Sequence, residues 1–154
     1  MGSYFYLYYH IVIVVDKREN VITENNEQRL YDYIGAFFRN RQSHLVIVNG
    51  VEDHLHLLVS LHPTKCLSDI MRDLKTATNK FIKEEKLFPK FKKWQNGYAA
   101  FSVSHYKVDT IRNYIARQKQ HHSKTKVETE YKAILDAHQL SYNPNDVFGD
   151  NPIN

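Results

Sequence analysis

The segment GVEDHLHLLVSL, residues 50–61, constrains the fold more than any other because its residues alternate with a period of two. Successive side chains of a strand point to opposite faces of the sheet. One face of this strand carries only aliphatic side chains, namely Leu55, Leu57, Val59 and Leu61. We therefore predict that this face packs against the core. His54 and His56 share the opposite face, which we expect to be the uncovered side of the sheet.

Similar patterns along the chain predict the other elements. Strands are rich in aromatic and β-branched residues, and helices carry apolar residues at intervals of three and four. The Asn49-Gly50 pair is a strong signal for a tight turn between two strands. The predicted strands cover residues 4–15, 44–48, 53–61 and 98–104, and the predicted helices cover 26–42 and 68–85, with two more beginning near 109 and 127.

The order of these elements predicts an α+β fold. Strand, helix, strand, strand, helix and strand form the β-α-β-β-α-β pattern of a ferredoxin-like, or RRM-like, sandwich. In this fold both helices cover one face of an antiparallel sheet, and here further C-terminal helices follow. We expect the second face to remain free for a site or a partner.

Length and composition limit the class of protein. The 154 residues suit one domain, 1–140, followed by a tail, 141–154, in which Pro, Asn, Asp and Gly are crowded. The net charge of +4 is compatible with a polyanionic partner, and the single cysteine excludes an internal disulfide. The apolar N-terminal segment is too short for a bilayer and does not resemble a signal peptide. We expect a cytoplasmic protein with no membrane partner.

The two histidines are a candidate metal site. Two imidazoles at i and i+2 of a rigid strand can donate two nitrogen ligands to one divalent ion. Alone, the His-x-His pattern is weak, and histidines that are solvated or hydrogen-bonded are the alternative. A metal site also needs at least one more ligand and an open position for chemistry.

Tyr114 and Gln118 can complete such a site. They are four residues apart, so a helix places them on one face. A glutamine carbonyl oxygen is a suitable ligand for Mg²⁺ or Mn²⁺, and a phenol can act as a nucleophile. The alternative is that Tyr114 belongs to the core with Gln118 at its edge. At most one of the adjacent His121 and His122 can face the same site, and no role is assigned to His10, His44, His62, His105 and His138.

A basic and aromatic segment, residues 83–98, is a candidate nucleic-acid contact. Lysines neutralise phosphates, and flat rings stack on unpaired bases. A surface loop held to the core by its aromatic residues explains the same composition equally well. The predicted DNA contacts, in this segment and on the neighbouring helices, are Arg72, Lys75, Lys90, Lys92, Lys93, Trp94 and Arg117.

Together these segments resemble the HUH-class single-tyrosine transposases, the single-strand DNA transposases of small bacterial insertion sequences and their repeat-associated relatives. DHLHLLVSL is similar to the family's histidine-hydrophobe-histidine strand, WQNGYAAFSVS to its Trp-Gln-x-Gly-Tyr segment, and YIARQKQHH to its tyrosine helix. HIVIVVDKRE resembles the opening strand. The resemblance covers residues 4–140, with one departure: KTAT, 75–78, stands where many relatives have Lys-Gly-x-Ser.

The resemblance implies specific roles. His54, His56 and Gln118 would bind Mg²⁺ or Mn²⁺, and Tyr114 would attack a phosphodiester of single-stranded DNA, leaving a 5′-phosphotyrosine and a free 3′-OH. The DNA would contain a hairpin, and the protein would be a homodimer whose tyrosine helix can act in the partner's site. Two alternatives stay open: a non-catalytic nucleic-acid-binding module of RRM-like fold, and a metal-dependent nuclease that uses water.

Overall fold

A computed structural model describes residues 1–122, except for the side chain of His122, and residues 126–142. The helices and strands follow the predicted order. Their bounds are β1 Tyr8–Val14, α1 Glu24–Arg39, β2 His44–Val51, β3 His54–Ser60, α2 Leu67–Glu84, β4 Ala99–Val103, α3 Val108–Ala116, α4 Gln118–His122 and α5 Val127–Ala137. Most of the predicted tail, 141–154, lies outside the described residues.

The four strands form one antiparallel sheet in the order β2-β3-β1-β4. This arrangement confirms the predicted α+β class. Helices α1 and α2 pack on one face of the sheet and form the main core with the aliphatic side of β3. Leu55, Leu57 and Val59 are all fully buried there. The period of two therefore identified the core face correctly.

The turn between β2 and β3 differs from the prediction. Asn49 and Gly50 lie inside β2, opposite His56 and Leu55, and the chain turns at Glu52 and Asp53. Gly50 is needed because the neighbouring strand lies very close. A Cβ atom at this position would overlap the carbonyl oxygen of His54 and lie 2.9 Å from the Cα atom of Leu55.

The second face of the sheet is covered, contrary to the prediction. Helix α3 packs over β2 and β3 through Ile115, which contacts Leu58. Helix α5 packs over β1 and β4 through Leu135, which joins a small apolar cluster with Phe101. Two helices that follow the sandwich thus form a second layer, and the histidines of β3 lie beneath it.

In the described part of the chain, none of the helices has both the length and the apolar composition needed to cross a bilayer.

Candidate active site

His54 and His56 lie side by side on β3, and each has one ring nitrogen held by a neighbour. Asp53 Oδ1 is 2.6 Å from Nδ1 of His54. His10 Nε2 is 2.8 Å from Nδ1 of His56. These contacts orient both rings so that each Nε2 faces the carboxylate of Glu130, at 3.4 Å for His54 and 3.2 Å for His56.

His10 therefore belongs to the site, although sequence analysis assigned it no role. Burial, with a further contribution from His56, lowers the pKa of His10 to about 3, so its ring is neutral at ordinary pH. For Nε2 of His56 to bind a metal ion, the proton of the neutral ring must be on Nδ1. That N–H then donates a hydrogen bond to His10 Nε2. His10 can thus select the tautomer of His56 that binds a metal ion.

Tyr114 and Gln118 enter the site from the covering layer. Helix α3 ends at Ala116 and α4 begins at Gln118, with Arg117 between them in a non-helical conformation. Despite this break, the two side chains meet at the same atom. Tyr114 donates its hydroxyl hydrogen bond to Glu130 Oε1, and Gln118 donates to that oxygen from Nε2 at 3.0 Å. The Tyr114 ring lies 5.8 Å from the ring of His56.

Asn49 and Lys119 fix this layer to the sheet. Asn49 donates from its side chain to the carbonyl oxygen of Ile115 at 3.0 Å. Lys119 donates to Asn49 Oδ1 at 2.9 Å and to the carbonyl oxygen of Gly50 at 3.1 Å. Because these contacts hold both sides of the Arg117 break, they determine where Tyr114 and Gln118 stand above the histidines.

Glu130, on α5, is a second residue of the site that sequence analysis missed. It is 4% exposed and lies among both histidines, Tyr114 and Gln118. A signal was present, since Glu130 falls three residues after Val127 and four before Ile134, on the apolar side of its helix. A carboxylate in such a stripe needs buried partners.

Burial and neighbouring groups also shift the pKa values of His54 and Tyr114. Burial alone would lower the pKa of His54, but its bonds to Asp53 and Glu130 outweigh this effect and raise it. Burial, together with the hydrogen bond to Glu130, raises the pKa of Tyr114 above its usual value. The phenol therefore keeps its proton unless a nearby positive charge favours the phenolate.

The residues present suit a divalent metal ion. Ligand atoms of His54, His56 and Glu130 all lie within 4.8 Å of one another. Gln118 is fully buried, and its Oε1 has no hydrogen-bond partner among the described residues. Two imidazole nitrogens, a carboxylate and an amide oxygen form a mixed ligand set that magnesium or manganese can accept.

Comparison with known proteins identifies the family. The family of IS200-like transposases matches residues 3–118. The chain is an IS200-like transposase. The matched residues include His54, His56, Tyr114 and Gln118, whereas Glu130 lies beyond them. No curated protein matches the chain.

Solved structures agree with the fold of the transposase. A protein described as a transposase from Deinococcus radiodurans R1 has 23% identity and a TM-score of 0.60, covering 77% of this chain and 95% of that one. A REP-associated tyrosine transposase bound to a REP hairpin has 15% identity and a TM-score of 0.53, covering 77% of this chain and 70% of the other. At these identities the likeness concerns the fold.

The predicted DNA contacts of the transposase fall into two groups. Arg72, Lys75, Lys93 and Trp94 line a cleft of about 360 Å³ beside α2, away from the histidines. Lys90, Lys92 and Arg117 are exposed elsewhere on the surface. The structure thus brings together four of the seven residues, and not around the histidine pair.

Three members of the cleft group have structural partners. Arg72 forms ion pairs with Asp69 and Asp73 at the surface. Trp94 is 4% exposed and donates to the hydroxyl of Thr78 at 2.9 Å. Lys75 donates to the carbonyl oxygens of Gln95, at 2.7 Å, and Gly97, and burial lowers its pKa to about 8. Phe88, Phe91 and Trp94 hold the segment to the core, as the alternative interpretation expected, while Tyr98 and the lysines of the segment remain exposed.

Proposed function

We propose that this transposase cleaves and rejoins single-stranded DNA through a covalent bond to Tyr114, with Mg²⁺ or Mn²⁺ as cofactor. One observation carries the proposal. Tyr114 and Gln118 of the covering layer meet His54 and His56 of the sheet around a single buried carboxylate. A nucleophile, metal-ligand chemistry and a proton acceptor therefore occupy one volume in one chain.

In the proposed reaction the oxygen of Tyr114 forms a bond to phosphorus as the bond from phosphorus to the 3′ oxygen breaks. The phenol proton passes to Glu130, which already accepts the Tyr114 hydrogen bond. The 3′ oxygen leaves as a hydroxyl after gaining a proton from solvent. Because one phosphodiester replaces another, the 3′-OH of a second strand can reverse the step, and joining needs no nucleotide cofactor.

The metal ion would be held by His54, His56, Gln118 and Glu130. Its positive charge supplies stabilisation of the phosphate oxygens and favours ionisation of a nearby phenol. Asp53 and His10 support this role, since they hold the ring nitrogens that do not face the site.

The proposed substrate is a DNA strand that contains a hairpin. A structural neighbour is bound to a REP hairpin, and exposed lysines at 90, 92 and 93 can neutralise phosphates. His54 and His56 are no more than 1% exposed. A phosphodiester therefore reaches a metal ion held by these histidines only when the covering layer shifts.

The homodimer implied by the family resemblance remains part of the proposal, and so does a cytoplasmic location. Within this chain Tyr114 lies beside its own histidines. We therefore propose that the first cleavage takes place in cis. A partner's tyrosine helix would have to replace α3 to act in trans.

The deciding experiment is to trap the adduct. Wild-type protein incubated with Mn²⁺ and a hairpin-bearing single strand from its own flanking DNA should give an SDS-resistant protein–DNA species. Tyr114→Phe should give none, whereas Tyr33→Phe, on α1 at the opposite side of the sheet, should match wild type. Hydrolysed ends without any adduct would support the nuclease. Binding that survives chelation and His54→Ala, with no cleavage, would support the non-catalytic module.

A further inference from the structure

Aromatic side chains at positions 6, 8 and 10 follow β1 from the exposed surface towards the buried site beside Tyr114. The alternation of β1 places Tyr8 and His10 on the same face of the sheet as the two histidines of β3. Tyr6 continues this row beyond the strand, with its ring 4.2 Å from that of Tyr8. At the other end, the ring of His10 lies 6.1 Å from that of Tyr114.

The outer end of the row is exposed. Tyr6 is 44% exposed and Tyr106 is 90% exposed, although both have large apolar rings. The ring of His105 stands between them, 5.1 Å from Tyr6 and 5.6 Å from Tyr106. An exposed group of aromatic rings is unusual on a surface without a partner, and single scattered rings would need no explanation.

The surroundings of this aromatic group, Tyr6, His105 and Tyr106, suit a nucleic acid. Lys107 directly follows Tyr106, and Arg112 is exposed on α3. Asp109 is the acidic residue near Tyr6. Lys107, next to Tyr106 in the sequence, can neutralise a phosphate, while the rings offer flat surfaces for bases.

We propose that the aromatic group binds unpaired bases of the same DNA strand whose phosphate Tyr114 attacks. This inference rests on the proposed function and extends it by a second binding site, distinct from the lysines of residues 90–93. Tyr6 and His10 are four residues apart, which is about 13 Å along an extended chain. A few nucleotides can cover that length, so one strand can contact the aromatic group and Tyr114 together.

The position of the aromatic group favours DNA over a protein partner. A docking patch for a second copy of the chain would have no reason to lie on the face of β1 that leads to Tyr114. Bases, by contrast, stack on exposed rings such as those of Tyr6 and Tyr106 without requiring a particular sequence. DNA is also the ligand that must reach the far end of this row.

Binding can be tested without cleavage, in protein that carries Tyr114→Phe. Fluorescence anisotropy with a labelled hairpin bearing single-stranded flanks should show that Tyr6→Leu and Tyr106→Leu each weaken binding by about fivefold or more. Tyr6→Phe keeps the ring and should bind as the parent does. Tyr33→Leu, on α1 at the opposite side of the sheet, is the matched control and should also leave affinity unchanged.

A second arm identifies the bases. Single abasic sites are placed in turn along each flank. At one or two positions the abasic site should weaken binding to the parent protein, and the same abasic sites should not weaken binding to Tyr6→Leu. Such loss of sensitivity is expected only if ring and base interact directly.

The outcomes separate the two proposals. If the parent binds the hairpin strand and both leucine variants bind equally well, the inference is wrong and the proposed function stands. If the leucine variants instead change the oligomeric state of the protein in solution and leave DNA affinity unchanged, the aromatic group is a contact between two copies of the chain. If the parent binds no single-stranded DNA, both proposals fail.

Discussion

Leu55 and Leu57, on one face of β3, are as deeply buried as His54 and His56 on the other, since all four are 1% exposed or less. The two faces nevertheless differ in what holds them. The leucines contact other apolar side chains from α1 and α2. The histidines contact Asp53, His10 and Glu130. Around the leucines the contacts are apolar packing, whereas around the histidines each polar group needs a particular partner.

This difference has a consequence for function. Packing tolerates similar shapes, so changes on the leucine face should affect the free energy of unfolding. A buried polar network is sensitive to the identity of each member, because an atom without a partner is costly. Changes on the histidine face should therefore affect what the protein binds. The four predictions below test that division.

The largest effect is expected on the leucine face. Leu57→Ala leaves a cavity beneath α1 and α2 and should lower the free energy of unfolding by about 2–5 kcal/mol. Denaturant titration measures this loss, with Leu140→Ala, at an exposed position, as the control. Well below the unfolding transition, Mn²⁺ affinity should equal that of wild type. A clear loss of metal affinity would show that the two faces are not separate.

Metal binding should stabilise the histidine face. An ion that binds only the folded state at 100 times its Kd adds about 2.7 kcal/mol. Thermal unfolding with and without Mn²⁺ measures this gain, which chelation should reverse. His56→Ala should abolish it, while His44→Ala, at an exposed position of β2, should retain it. Equal stabilisation of both variants would place the ion elsewhere.

The third test removes a neighbour of the proposed ligands. His10→Gln cannot hold the ring of His56 in the same way, and partners of metal ligands typically contribute 10–100-fold in affinity. Calorimetric titration with Mn²⁺ should show a loss in this range, about 1.4–2.7 kcal/mol. His44→Gln is the matched control. Unchanged affinity in His10→Gln would mean that His10 only fills space beside His56.

Gly50→Ala should disturb both faces together and to a smaller extent. The added methyl group overlaps the carbonyl oxygen of His54 and presses on Leu55, and such overpacking costs about 1–3 kcal/mol. Unfolding and Mn²⁺ titrations of the same variant should both weaken. Gly35→Ala is the control, because a methyl group there meets the flexible end of Arg39 at 3.3 Å and removes a helix-interior glycine. Unaltered metal binding in Gly50→Ala would show that a shift of the β3 backbone at His54 does not move the metal ligands.

Sequence patterns were informative wherever they concerned one element. The alternation in β3 assigned Leu57 and His56 to opposite faces, and the order of strands and helices predicted the sandwich. The spacing of Tyr114 and Gln118 predicted that they would meet, and they share a partner even though Arg117 interrupts the helix.

The wrongly predicted turn shows that residue composition can mislead even within one strand. Asn49-Gly50 has the composition of a hairpin turn, yet both residues lie in β2, where one fastens the covering layer and the other allows β3 to approach. Trp94 is a similar case, because composition cannot distinguish a ring that stacks on bases from one that donates to Thr78 inside the protein. The same residue types serve both purposes.

The sequence alone thus determined the order of the elements, the face to which each side chain of β3 points, and the family resemblance. Tertiary structure decided that the second face is covered, that His10 orients His56, and that Glu130 joins the histidines to Tyr114. The physical reason is that sequence periodicity carries only local information. Periodicity reports how a side chain is oriented on its own helix or strand, whereas the partner of a buried polar atom comes from whichever distant element packs above it.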